Sequence, residues 1–242
     1  MSAGPARRSQ RPPRFYFSLR SPYSYLAYRD LLTHHPQVAA RLEWVPFFEP
    51  DQRSLAMLAE AGGSFPYTPM SRQKHHYILQ DARRLATARG LSLTWPVDRD
   101  PVWEVPHLAY LAARRHGLGP AFIAQAARTR WEQGRDICDR KVVAEMATVL
   151  GLDGDELAGA AEDAVLRVEG VQALLAVDRD GVFGVPFFVH RRQKFWGVDR
   201  LPAFLEALGA DPVRTEPPVD AGRLVTVPAP PGVDDGHAGG CG

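Results

Sequence analysis

The apolar positions of this chain change period along its length, and each change marks an element. "RFYFSL" (14–19) is an unbroken apolar run with the length of one buried strand. "YSYLAYRDLLTHH" spaces its apolar residues at i, i+3 and i+4, as a helix does, and "ARLEWVPFF" returns to a strand-like run. The opening is therefore β-α-β. Five segments with helical spacing follow: "SRQKHHYILQDARRLATARG", "WEVPHLAYLAARRHG", "PAFIAQAARTRWEQG", "DRKVVAEMATVLG" and "DGDELAGAAEDAVLRVEGVQALLAVDRDG". Each ends at glycine, the residue that most easily takes the left-handed helix stop. "GVPFFVHRRQKFW" then reads as two short strands around the polar turn "HRRQK", and "DRLPAFLEALG" as a closing helix.

The order β-α-β, helical insertion, β-β-α predicts an α/β protein on the thioredoxin plan, its parallel strands joined by a crossover that covers the sheet. The expected division is a first thioredoxin-like part over 14–62, an inserted helical domain over 63–178 and a second thioredoxin-like part over 179–210. The ends, 1–13 and 211–242, are rich in Pro, Gly and charge and are expected to be disordered tails. Two punctuation marks refine the plan. Ser21 precedes Pro22 where strand turns into helix, a good N-cap before a good first helical residue. Pro186 opens an interior strand without an N–H to give the ladder, and a cis Val185–Pro186 bond is the natural solution.

Composition narrows the function classes. A chain of 242 residues can bury a substantial core. Its 29 basic and 28 acidic residues leave a net charge of +1, so no nucleic-acid partner is expected. Cys138 and Cys241 lie far apart, which argues against a disulfide framework and for a reducing compartment. No run of about 18 apolar residues occurs, so no membrane span is expected and the setting is read as cytoplasmic.

The remaining candidate chemistry is sparse. His34-His35 and His75-His76 are adjacent pairs that diverge by about 100° on a helix, so no metal site is expected. Cys138, in "GRDICDRKV", is placed at a helix start that would favour a thiolate, or else is a buried inert thiol. Trp131, Asp136 and Tyr110 fall in the helical cap that should face Ser21 across a cleft, with Trp103 and Trp196 lining the same space. Aromatic residues at these spacings build a core, or an apolar cleft for a planar aromatic or polyene substrate.

"FYFSLRSPYSYLAY", "GVFGVPFFV" and "FWGVDRLPAFLEAL", in this order and separated by a helical stretch containing "WEQGRDI", resemble the 2-hydroxychromene-2-carboxylate isomerases and kappa-class glutathione transferases of the DsbA-like superfamily. The resemblance spans roughly 14–209. Redox-active relatives carry Cys-x-x-Cys where this chain has Ser21-Pro22-Tyr23-Ser24, which excludes dithiol chemistry there. The resemblance implies instead that Ser21 hydrogen-bonds the sulfur of bound glutathione, or of another small thiol, at the positive end of the first helix. It implies that Val185, before Pro186, meets the ligand's peptide part through main-chain hydrogen bonds. Asp199 would receive the ligand's α-ammonium or simply cap the last helix, and Arg200 would bind beside it or remain a structural charge. Two departures matter. The family's asparagine after the second strand has no counterpart, because the chain contains no Asn, and Val198 stands where Ser or Gln is usual. Lys74 or Arg72 is left to supply a polar anchor.

Three functions are compatible with this reading. One is an isomerase that adds a thiol reversibly to a conjugated or aromatic small molecule, a kappa-type transferase sharing its first step. The second is a glutathione-independent isomerase using Cys138 or His107 in the same cleft. The third is a non-catalytic thioredoxin-fold binding module. The family and the aromatic richness of the insertion together predict a homodimer.

Overall fold

The aromatic run condenses into a short strand, β1 (Arg14–Phe17), all four residues of which are buried, as an apolar run without polar alternation requires when both faces of a strand are covered. The computed structural model describes residues 11–66 and 70–209. In it β1 pairs in parallel with β2 (Glu43–Pro46) and antiparallel with β3 (Phe187–His190), which pairs antiparallel with β4 (Gln193–Trp196). The sheet order is β2-β1-β3-β4. The crossover between the parallel strands is α1 (Pro22–His34), followed by the short α2 (Pro36–Ala39). The second strand is shorter than its apolar run: Phe47 still gives its N–H to the Phe17 carbonyl at 2.7 Å, but the ladder stops at Pro46.

After the sheet's first half come α3 (Gln52–Glu60), α4 (Arg72–Thr87), α5 (Glu104–Arg115) and α6 (Gly119–Ala127), which continues into a π-helical turn, Arg128–Glu132. Then follow α7 (Arg140–Val149), α8 (Gly154–Ala158), α9 (Ala164–Asp180) and, after the sheet's second half, α10 (Leu201–Ala207). Two helices depart from the sequence pattern. The segment expected to be continuous from Asp153 to Gly181 is broken, because the Asp163 carboxylate accepts the N–H groups of Val165 and Leu166 and starts a new helix there. α3 is absent from the periodicity because it buries only Ser54 and Leu58; Asp51 starts it by accepting the Ser54 N–H at 2.7 Å. The predicted tails fall outside the described residues, apart from residues 11–13.

The strand period of two divides β1 between two cores. Phe15 and Phe17 face a large cluster with Trp44, Leu26 and Leu31 of α1, Leu108 and Tyr110 of α5, and Phe204 of α10. Phe188 of β3 lies in this layer, stacked 4.9 Å from Phe15 and 4.8 Å from Phe204. Tyr16 faces the other way, with Val45, Phe187, Val185 and Val177 of α9. Its hydroxyl donates to Asp180 Oδ2 at 2.5 Å, and Arg14 ion-pairs with the same carboxylate, so the end of α9 is tied to β1. Packing of the sheet against helices on both faces leaves one corner for chemistry, where β1 ends, α1 begins and β3 arrives.

Candidate functional site

At that corner three serines fix a turn. Ser21 is the N-cap of α1, its backbone extended and its Oγ accepting the Ser24 N–H at 3.2 Å. Ser24 Oγ accepts the Ser18 N–H at 3.2 Å, and the Ser21 N–H donates to the Ser18 carbonyl at 3.1 Å. The fold brings in Val185 from the other end of the chain: Ser21 Oγ lies 3.5 Å from its carbonyl oxygen, at the outer limit of a hydrogen bond, and the Val185–Pro186 peptide is cis. The hydroxyl hydrogen is therefore only lightly held and can turn to a ligand. Among the described residues the Val185 N–H has no hydrogen-bond partner. The first turn of α1 carries no acidic residue to oppose an anion at its positive end.

The turn rests on His107, which is fully buried. The Leu19 N–H donates to His107 Nε2 at 3.1 Å, which makes that nitrogen the acceptor and puts the ring hydrogen on Nδ1, 2.7 Å from the Trp103 carbonyl. Burial pulls the imidazole pKa down to about 3, the Trp103 carbonyl opposes this, and the Arg130 charge adds to it. His107 is thus a neutral strut beneath the turn and not an acid or base in a cleft. The sign of its pH effect follows. The folded pKa lies below the ordinary 6.5, so the stability it contributes is complete above that value and is lost as pH falls toward about 3. The urea midpoint of wild type should drop between pH 7 and pH 4 more steeply than that of His107→Gln. Parallel pH curves would show that His107 does not titrate in this way.

Trp103 lies just before α5, with the Arg20 and Arg130 guanidinium carbons each 5.1 Å from its ring centroid. Arg130 also lies 4.9 Å from the Trp131 centroid and holds Asp98 with two bonds, of 2.7 and 2.8 Å. Trp131 meets Trp95 edge-on at 5.5 Å and is 2% exposed. Tyr110 donates to the Trp44 carbonyl at 3.1 Å and packs edge-on against Phe17 at 5.1 Å. Of the two roles the sequence leaves open for them, core or cleft, both residues take packing positions; helical spacing alone does not separate the two. Trp196, 44% exposed, sits on β4 against Phe183.

Cys138 does not have a thiolate-favouring position. α7 starts at Arg140 behind the cap Asp139, and the Cys138 thiol is pushed up by burial and by the Asp136 and Asp98 carboxylates, against the pull of Arg130. The Asp136 carboxylate accepts the Cys138 N–H at 2.8 Å. Asp199 and Arg200 lie in a 3-10 turn, Val198–Arg200, that packs against α1, and their side chains pair with each other at 2.8 Å on the surface. Asp199 is not the cap of α10, which starts behind Arg200 without a side-chain cap. Gly197 is required before this turn: its φ is +108°, and a Cβ there would stand 2.5 Å from Asp199 Oδ1. Val198 is buried.

Lys74 and Arg72 are exposed in the first turn of α4, where Ser71 Oγ accepts the Lys74 N–H at 3.2 Å. Further along, α4 packs against α1, and Tyr23 donates to Asp81 at 2.9 Å. Among the described residues no group of three or more His, Cys, Asp or Glu side chains could hold a metal ion. Sequence reasoning passed over Arg20, Glu49, Asp98 and Arg130. For Arg20 a signal was available, a charge inside an otherwise apolar motif.

Residues 14–209 match the DsbA-like thioredoxin domain. The chain is 32% identical over 197 residues to a 2-hydroxychromene-2-carboxylate isomerase of Sphingobium xenophagum, a match covering 80% of this chain and 95% of that protein. Among solved structures, a 2-hydroxychromene-2-carboxylate isomerase matches with a TM-score of 0.65 at 23% identity, over 81% of this chain and 94% of that one. The cytosolic disulfide reductase DsbM of Pseudomonas aeruginosa, solved with GSH, matches with a TM-score of 0.53 at 23% identity, over 81% and 98% of the two chains. At these identities the solved structures speak to fold.

Proposed function

We propose a mechanism from the fact that this chain belongs to the DsbA-like thioredoxin domain family and is an isomerase of the 2-hydroxychromene-2-carboxylate isomerase type: a conjugated or aromatic small molecule is isomerised through reversible addition of a thiol, glutathione or another of low molecular weight, held at Ser21. The observation that carries this reading is the pairing of the Ser21 hydroxyl, at the start of α1, with the Val185 backbone before cis-Pro186. With serine at both 21 and 24, disulfide exchange has no thiol pair to use at this corner.

A thiol fits the residues present. The Ser21 O–H can donate to sulfur, the Val185 N–H and carbonyl suit an extended peptide, and the surface charges of Asp199, Arg200, Lys74 and Arg72 would serve its charged ends. When bound, the thiol supplies a soft nucleophile whose addition suspends a double bond and whose departure restores it. Ser21 and the free end of α1 favour its anionic form by hydrogen bonding and by the helix dipole. The neutral His107 holds the turn that presents Ser21, and the surrounding apolar packing keeps water from the reacting carbon. The chain lacks Asn and buries Val198, so contacts to the peptide part of glutathione are fewer than the family pattern offers.

The glutathione-independent reading loses its two named residues, since the Cys138 thiol is held protonated and His107 is a buried strut. The proposal includes a homodimer in the reducing cytoplasm. No helix among the described residues is long and apolar enough to cross a membrane. The test is turnover of 2-hydroxychromene-2-carboxylate by dialysed protein, with and without reduced glutathione. Isomerisation that requires the thiol and returns a product of unchanged mass is expected. Undiminished turnover without any thiol would remove the addition step, and accumulation of a covalent substrate–glutathione adduct would make the protein a kappa-like transferase.

A further inference from the structure

We propose that Phe183 and Trp196 form an aromatic platform that receives the flat ring of the substrate and selects planar aromatic substrates over saturated ones; this rests on the reading that the substrate reacts at Ser21. The pair stands at the Ser21 end of the sheet. Trp196, on β4, lies opposite Phe187, the first residue of β3, and Phe187 lies opposite Tyr16, one residue before β1 ends. The Gly197 N–H, next to Trp196, donates to the Pro186 carbonyl at 2.9 Å. Phe183 precedes Val185 by two residues, which keeps their Cα atoms within about 7 Å of each other. The Val185 carbonyl in turn lies 3.5 Å from Ser21 Oγ.

The two rings are held and still open. Phe183 is 56% exposed between the buried Val182 and Gly184, so its side chain is the one in this stretch that turns outward. The buried Phe187 ring meets it edge-on at 5.5 Å, and the half-exposed Trp196 meets it at 4.8 Å with the planes 66° apart. Rings in that arrangement make an open corner, in which a flat third ring can stack on one and turn its edge to the other. Apolar side chains scattered singly over a surface need no explanation, whereas two large rings in contact and this exposed mark a binding place. The helical cap offers no such place, since Trp103, Trp131 and Tyr110 are buried and packed. The patch suits one ring and not a subunit. Its neighbours Gly181, Gly184, Lys194 and Asp199 are small or charged. Two aromatic side chains bury roughly 300–500 Å², against about 1,200 Å² or more for a specific subunit contact.

The test titrates the full chain, without thiol, with chromone-2-carboxylate and with its analogue whose benzo ring is saturated; the two share the carboxylate and the pyranone. Wild type should bind the planar probe about three- to tenfold more tightly, the step expected of aromatic contacts. Phe183→Leu and Trp196→Leu should each reduce that preference, and the double variant should bind both probes as wild type binds the saturated one. In turnover the same variants should raise KM with kcat little changed, the mark of lost substrate binding. The urea midpoint of each variant checks that the fold is kept, and the wild-type comparison needs no variant. Equal binding of the two probes by wild type, binding of neither, or a preference that survives in the double variant would overturn the inference. So would a fall in mass by light scattering in the double variant with the preference intact, which would make the pair a subunit contact. Turnover without a thiol, with the preference lost in the double variant, would sink the mechanism and leave the platform standing. Thiol-dependent turnover with a preference that ignores the pair would do the reverse.

Discussion

Ser21→Ala is expected to lower turnover by about 10²–10³-fold, the usual consequence of deleting one preorganised donor at a developing or stored anion. The same substitution removes the cap that accepts the Ser24 N–H, which costs about 0.5–2 kcal/mol of stability. The two effects separate cleanly. Urea unfolding measures the cap, and initial rates at saturating thiol and substrate measure the chemistry. If Ser21 were only a cap, the loss of activity would vanish under conditions where the variant is fully folded. Turnover within about twofold of wild type there would end the role given to Ser21. Ser21→Thr should restore the cap but crowd the fully buried site with a methyl group, so recovery of stability without recovery of rate is expected from it.

Phe188→Ala is expected to destabilise the fold by about 3–5 kcal/mol, the range for truncating a buried aromatic ring. Phe188 is fully buried and stacked between Phe15 of β1 and Phe204 of α10, so its ring joins strand, sheet and closing helix. It also follows Pro186 by two residues on β3, and the cavity would loosen the strand that presents Val185 to Ser21. Chemical denaturation reads the first consequence, and a rise in the thiol concentration needed for half-maximal rate reads the second. A loss under about 1.5 kcal/mol would mean that Phe15 and Phe204 close the gap, which the tight packing of this layer argues against.

How much of this was legible beforehand depended on whether the signal was local. Ser21-Pro22 announced a helix start, and Gly184-Val185-Pro186 a strand opening at a proline; both statements concern neighbours in sequence, the first holds, and β3 starts one residue after Pro186, at Phe187. That Ser21 and Val185 meet followed only from the family resemblance, because no spacing rule connects residues 164 positions apart. The thioredoxin plan with its helical insertion was legible for a similar reason, as the period of apolar residues is a local property. The Asp163 break between α8 and α9 was lost because the apolar period runs through it. The aromatic side chains show the opposite limit. Tyr110, Trp131 and Trp103 share one spacing pattern, yet one anchors on a strand carbonyl, one packs against Trp95 and one lies beneath two guanidiniums. For His107 and Cys138 the sequence left a chemical and an inert role open, because ionisation depends on what surrounds a side chain, and depth is not written in the residues beside it.

The tie between β1 and the end of α9 has a mechanical consequence. Pulling Asp180 away would strand its carboxylate in an apolar layer and deprive both Arg14 and Tyr16 of their partner, so this joint resists sliding. The connection on the α4 side is softer: the Tyr23–Asp81 bond is half-buried, and Arg84, which pairs with Asp81 at 3.5 Å, is largely exposed. A corner that had to widen to admit a substrate would give at α4 before it gave at Asp180.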